Sequence, residues 1–426
     1  MVSIEARDAS PRMSIVRFFV GFVALLVCVT TVAAQIGTWR SRRPVPRVIQ
    51  EAAAAAVGGK VYVVGGYGAF CVESNEVDIY DPTTDTWDHG APMPTPRRGL
   101  AVVELEGKIY AIGGATDCAC FDTVEVYDPP TDTWASRSSL PTCRYEYAAA
   151  ALNGKIYAFA GIRFGSEDRR VYEYDPATDS WSQKADCPFR IVQVAVPLGN
   201  RILIAGVDSN AVLAYDPATD SYEARASMIT GGGGGRGYTA AGGKAYVMGG
   251  GHGLTAMEIY DPNSDTWLLA PPMPTGRTIL EAASARGRIY AIGGVNETGQ
   301  LDVNEEFSPV LTVRIDVKPG SDPNSISLSS AGVVPVAVLS SSDFDASTID
   351  PETITLAGAR VKMVGKSNRF LCSQEDVNLD GLLDLVCQIE TVQFMIEPGD
   401  SMVVLEGQTF DGQFIRGEDS VRIVPE

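Results

Sequence analysis

Four oxygen-bearing side chains in one short loop form the best-defined chemical signal of the chain. In DVNLDGLLDLVC, Asp376, Asn378, Asp380 and Asp384 take positions 1, 3, 5 and 9, with Gly381 at position 6. Hard oxygen donors at this spacing converge on one point, and the glycine permits the turn that brings them together, so the loop is expected to hold a structural calcium ion. Position 12 is Cys387 rather than a bidentate glutamate, and Glu375 or Glu390 stands close enough to replace it. Cys372 and Cys387 bracket the loop, where a disulfide would hold its two ends together.

A second pattern is made of arginines. Arg97, Arg144, Arg190 and Arg277 each stand eleven residues before a basic residue that opens a strand, at Lys108, Lys155, Arg201 and Arg288. Arg47 and Arg236 lie near the corresponding places, out of register. Equivalent guanidinium groups around one opening would grip carboxylates or acidic sugars in bidentate fashion. The same repetition also fits arginines that tie their own connections to nearby carbonyls or acids. Glu51, Glu146 and Glu281 follow close by and would neutralise such a ring.

Other chemistry finds little support. The chain has only two histidines, His89 and His252, in unrelated positions. They make no zinc site without thiolate or carboxylate partners. The glycine run from 231 to 235 lacks the lysine and hydroxyl residue of a phosphate loop. Cys118 and Cys120 are one residue too close for the usual redox or metal pair. Cys143 and Cys187 fall in corresponding connections of neighbouring units, so a disulfide between them is expected, with free thiols as the alternative. Cys71 sits in its loop at nearly the place that Cys118 and Cys120 occupy in the next unit.

The elements that must carry these residues are repeats. Six apolar runs such as KVYVVGG, KIYAIGG and RILIAG end in a Gly-Gly or small-Gly pair, at 65, 113, 160, 205, 249 and 293, with steps of 44 to 48 residues. After five of them comes a segment such as VDIYDPTTDTW, in which a strand closes at Asp-Pro, a polar turn reverses it and an aromatic opens the next strand. The aromatics are Trp87, Trp134, Trp181, Tyr222 and Trp267, and the sixth stands near the start of the sequence as Trp39. This grammar predicts an all-β fold, a six-bladed propeller over residues 35–307 in which an N-terminal strand completes the last blade and removes free edges.

At residue 308 the pattern changes to short strands between Pro-Gly, Asp-Pro and Ser-rich turns, which predicts a small β-sandwich over 308–426. At the other end, Arg7, Arg12 and Arg17 precede an apolar run from Phe18 to Val29 and the small residues before Gln35. Residues 1–34 therefore read as a signal peptide, and the mature chain as a secreted or periplasmic protein without a membrane-inserted segment. With 53 acidic against 34 basic residues and a net charge of −19, the surface repels nucleic acid and anionic membranes.

On the paired glycines, the YDPxTDTW segments and the PMPTPR and PMPTGR connections, residues 35 to 307 resemble a kelch-repeat β-propeller of the galactose-oxidase-like superfamily. The resemblance implies that the longer loops and the connections between blades form a binding face. It extends from interaction modules to copper-radical oxidases and sialic-acid mutarotases. Two histidines do not supply the oxidase's copper ligands. The C-terminal segments VRIDVKPGSDPNSI, GVVPVAVL and EDVNLDG resemble an accessory sandwich module of secreted bacterial proteins. The expectation on this basis is a non-catalytic extracellular protein whose propeller loops bind a protein or glycan. The alternative is a mutarotase-like sugar isomerase at an arginine-rimmed channel mouth.

Overall fold

The computed structural model describes residues 36–424 apart from 69–71, 208, 232, 252, 328–331, 342–343, 366–368, 397–398 and 411. The signal-peptide reading, Cys71 and His252 lie outside the described residues.

Between residues 37 and 309 the chain builds repeated four-stranded antiparallel sheets of kelch type. They are numbered here by their innermost strands: Ala53–Val57, Ala101–Leu105, Ala148–Leu152, Val192–Leu198, Arg236–Ala241 and Glu281–Ala285. Within a sheet each strand pairs with the next in sequence. Sheet 1 thus continues through Lys60–Val64 and Val77–Asp81 to Thr86–Gly90. Second strands such as KVYVV are buried along almost their whole length because both faces pack against neighbouring sheets, which is why they are continuous apolar runs. The innermost strands meet one another in cyclic order, the first touching both the second and the sixth. Their short side chains allow this close approach.

The YDPxTDTW motif has a local cause. In sheet 1 the last Asp, Asp85, takes a left-handed φ of 53° and accepts from the hydroxyl of Tyr80 at 2.7 Å and the backbone N–H of Arg43 at 3.0 Å. Trp87 donates its indole N–H to the carbonyl of that same Arg43 at 2.8 Å. Asp132 with Trp134, Asp179 with Trp181 and Asp265 with Trp267 repeat the clamp on Ala91, Ser138 and Ala226. The motif therefore fastens each sheet to the connection beside it.

The sixth sheet departs from this rule in an instructive way. Its outermost strand is Gly37–Ser41, antiparallel to Asn304–Pro309 with Trp39 opposite Phe307. Trp39 donates to the carbonyl of Pro271 at 2.8 Å, as the other tryptophans do to their clamped residues. The sequence just before this strand holds no aspartate, and the clamped residue is a proline, which has no N–H to satisfy.

Beyond residue 310, two sheets face each other. One has the strand order Leu311–Thr312, Phe414–Ser420, Met402–Thr409, Ile349–Leu356, Ala359–Arg360; the other runs Arg314–Val317, Val333–Leu339, Asp384–Glu390, Cys372–Glu375. The core between them is drawn from residues 313–421, including Val336, Val338, Ile354, Leu405 and Ile415.

Candidate functional site

The four repeated arginines do not share one environment. Arg97, Arg144 and Arg277 are fully buried. The Arg97 guanidinium donates to Glu125 at 2.5 Å and to the Ala111 carbonyl at 3.0 Å. Arg277 meets Glu305 at 2.9 Å and the Ala291 carbonyl at 2.9 Å. Arg144 donates to the carbonyls of Ala160 and Arg170 and faces Asp168 at 3.8 Å. These are internal latches: Arg97 and Arg277 join a connection to the second and third strands of the sheet that follows, and Arg144 joins one to the residues just beyond those strands. Arg190 is 74% exposed and meets Glu167 at 3.1 Å. The acids that hold the latches were legible as the Glu of VEVYDP and of NEEF, but their pairing with the arginines depends on register, which spacing alone does not give.

A cavity of about 530 Å³ runs between the innermost strands. Its wall is mostly small and apolar, and its charged residues among those described are Glu51, Glu104, Glu146, Glu281 and Arg236. Glu281 breaks the repeat. It pairs across its hairpin with Ile292, and the residues in the same register elsewhere are Ala53, Ala101, Ala148, Ala195 and Gly237. A carboxyl thus stands where the other sheets carry alanine or glycine. It is half-buried in the channel wall, and no hydrogen bond or ion pair is made by it among the described residues. Burial first, and then the charge of Glu51, pushes its pKa up to about 8.

Glu51 and Glu146 lie at the rim, two residues after corresponding positions in their connections. Both hold left-handed φ angles, 52° and 49°, at places where sheets 2 and 5 use Gly99 and Gly235. An ordinary residue gives up roughly 1–2 kcal/mol there, so backbone comfort does not account for glutamate. Backbone bonds tie the rim together, from Gly99 N–H to the Glu51 carbonyl at 2.8 Å and from Glu146 N–H to the Gly99 carbonyl at 3.1 Å. Arg98 meets Glu51 at 2.5 Å and Asp117 at 3.1 Å and lies over the Tyr67 ring. The Glu146 carboxyl is raised by burial and by Glu51, while Arg98 opposes the shift. Sequence reading placed the three glutamates beside the arginines as neutralising charges. The structure gives the arginines mostly to the interior and leaves the glutamates on the channel.

The disulfides differ in part from expectation. Cys143 joins Cys120, not Cys187. The Arg144 N–H bond to the Phe121 carbonyl brings that loop against the connection, whereas Cys187 packs as a buried thiol in the core between sheets 3 and 4, which pushes its pKa up to about 11. Cys372 and Cys387 are directly opposite one another and bonded. Cys118 is a free, exposed thiol.

In the loop bracketed by that second disulfide, Asp376 accepts from the backbone N–H groups of Asp380 and Gly381, and Asn378 also accepts from Asp380. Asp384 is fully buried, its oxygens taking the N–H groups of Ser340 at 2.8 Å and Val377 at 3.1 Å. Among the described residues no three His, Cys, Asp or Glu side chains come together as metal ligands. His89 stands on an outer strand with Nδ1 3.1 Å from Asp78.

The kelch motif matches residues 51–94, 96–141, 143–188 and 233–274. Kelch-like protein 35 of Mus musculus is 38% identical over 50 residues, a match that spans 12% of this chain and 9% of that protein's length. Among solved structures, that of the bacterial propeller protein YjhT superposes with a TM-score of 0.54 at 17% identity, over 63% of this chain and 97% of its own. The chain thus has a kelch-repeat, β-propeller-like fold distantly related to YjhT. The expectation of a non-catalytic interaction protein, with an enzymatic role the less favoured, is corrected on that likeness.

Proposed function

We propose that this is a mutarotase-like sugar isomerase whose site is the mouth of the central channel, with the six sheets acting as six blades and the strand carrying Trp39 closing the last. The observation that carries the reading is Glu281, a carboxyl with its pKa raised to about 8 inside an alanine-lined channel, within reach of the charge of Glu51. Anomer interconversion needs one group to give a proton to the ring oxygen and another to take the anomeric hydroxyl proton. Glu281 gives the first and Glu146 takes the second, the ring C–O bond breaks, and the aldehyde or ketone forms. Rotation about the carbon–carbon bond that joins the carbonyl to the sugar chain, followed by reversal of both proton transfers, returns the other anomer, with no cofactor consumed. A carboxyl whose pKa is raised to about 8, with a second carboxyl as its partner, suits such a task. Arg98, bonded to Glu51 and Asp117, positions the rim.

Exchange spectroscopy by NMR tests the reading. Adding the protein to aldoses or N-acetylneuraminic acid at pH 7 raises the rate of exchange between anomeric signals, and Glu281→Gln and Glu146→Gln each reduce the gain by about 10²-fold or more. Equal exchange with and without protein over a panel of sugars would overturn it.

Export and the module at 308–426 complete the proposal. Among the described residues no helix is long and apolar enough to cross a membrane. Half-buried Asp376 and exposed Asn378 and Asp380 are oxygen donors that suit calcium, while buried Asp384, already bonded to two backbone N–H groups, shapes the loop. Millimolar calcium is expected to raise the thermal midpoint of the chain, and Asp376→Asn with Asp380→Asn to abolish the rise. A midpoint indifferent to calcium and to chelator contradicts this part.

A further inference from the structure

The charge lining the channel says which sugars suit it. Of its five charged residues among those described, four are glutamates, and the fifth, Arg236, turns its guanidinium away to the carbonyls of Thr230, Gly231 and Gly233. The cation nearest the rim, Arg98, is shared between Glu51 and Asp117. The arginines that would have held a carboxylate, Arg97, Arg144 and Arg277, are buried in latches. Neither Glu146 nor Glu281 has a side-chain hydrogen bond or ion pair among the described residues.

From this arrangement we infer that the mouth takes a sugar carrying a protonated amine, the ammonium held by Glu146 and Glu281 of the channel wall, neither of which is ion-paired among the described residues. The inference rests on the isomerase site above and narrows its substrate class. A carboxylated sugar meets uncompensated carboxylates, whereas an ammonium provides three donors to acceptors that lack them. The raised pKa values of Glu146 and Glu281 agree with a site short of positive charge. Among the described residues the other titratable groups are Glu51, Asp117 and Arg98 at the mouth, with Glu104, Arg236, Tyr147 and Tyr238 in the wall; Tyr147 donates its hydroxyl to the Ile112 carbonyl.

Calorimetric titration of the full chain at pH 7 with glucosamine, N-acetylglucosamine, glucose and N-acetylneuraminic acid tests the choice. Glucosamine should bind at least about tenfold more tightly than its N-acetyl form. In Glu146→Gln that preference should fall away while the circular dichroism stays that of the parent chain. Equal or tighter binding of the acetylated, neutral or acidic sugar overturns the inference, as does amine binding that Glu281→Gln and Glu146→Gln leave intact. Because binding is read without turnover, failure of catalysis is separate: glucosamine bound at the mouth without faster anomer exchange sinks the isomerase reading alone, and exchange of neutral or acidic sugars without any preference for the amine sinks only this one.

Discussion

Arg97→Ala lowers the unfolding free energy by about 3–5 kcal/mol, because it leaves the buried carboxylate of Glu125 without its cation in a dry interior. Glu125 would retain only the hydroxyl of Thr95 at 2.8 Å, and the Ala111 carbonyl would lose its donor. Urea denaturation followed by tryptophan fluorescence reads the loss directly. A double replacement, Arg97→Met with Glu125→Leu, is expected to recover most of it, since two apolar side chains of similar size leave no unpaired charge. A loss below about 1 kcal/mol in the single variant would place these groups in the class of surface ion pairs and contradict the latch.

Glu281→Gln produces the second large effect, and its sign depends on pH. A carboxyl whose pKa is about 8 in the folded chain, against 4.5 ordinarily, holds its proton more tightly when folded. Between those two values the unfolded chain therefore binds fewer protons, and stability falls as pH rises through the window. Below about 4.5 the carboxyl is neutral in both states and costs nothing through ionisation. Above about 8 the folded chain must carry the charge, a penalty of at most about 5 kcal/mol from the full shift. Glutamine has no proton to lose, so the variant is expected to be more stable than the parent at pH 9 and to lose the slope between pH 5 and 8 that Glu281 contributes. At pH 7 the same variant loses anomer exchange. Gain of stability together with loss of activity at one residue marks a group kept for function at a cost to the fold. Parallel pH profiles for the two chains would contradict the assignment.

The fold was legible because kelch-type repetition writes each contact several times. The paired glycines close the second strands, and the YDPxTDTW segments encode a clamp made of an aspartate, a tyrosine and a tryptophan on a single backbone residue. Even the pairing of Trp39 with the strand at Phe307 was readable from the aromatic missing after residue 307. The site was less legible for the same reason. Repetition drew attention to Arg97, Arg144 and Arg277, which are repeated because they are architectural. Glu281 matters through its departure from the series Ala53, Ala101, Ala148, Ala195 and Gly237, and that series appears only once hairpin register is known. Cys143 illustrates the same limit. Corresponding positions suggested Cys187 as its partner, while a local bond between Arg144 and Phe121 brings Cys120 to it instead.

The central claim is that a proton sits on Glu281 at neutral pH, and carbon NMR of the side-chain carboxyl tests it most directly. With glutamate labelled at Cδ and the signal assigned by its absence from Glu281→Gln, the resonance is expected to titrate with a midpoint near 8. A midpoint near the ordinary 4.5 would mean an ionised carboxylate throughout the working range, and the channel mouth would have no acid to offer a sugar ring.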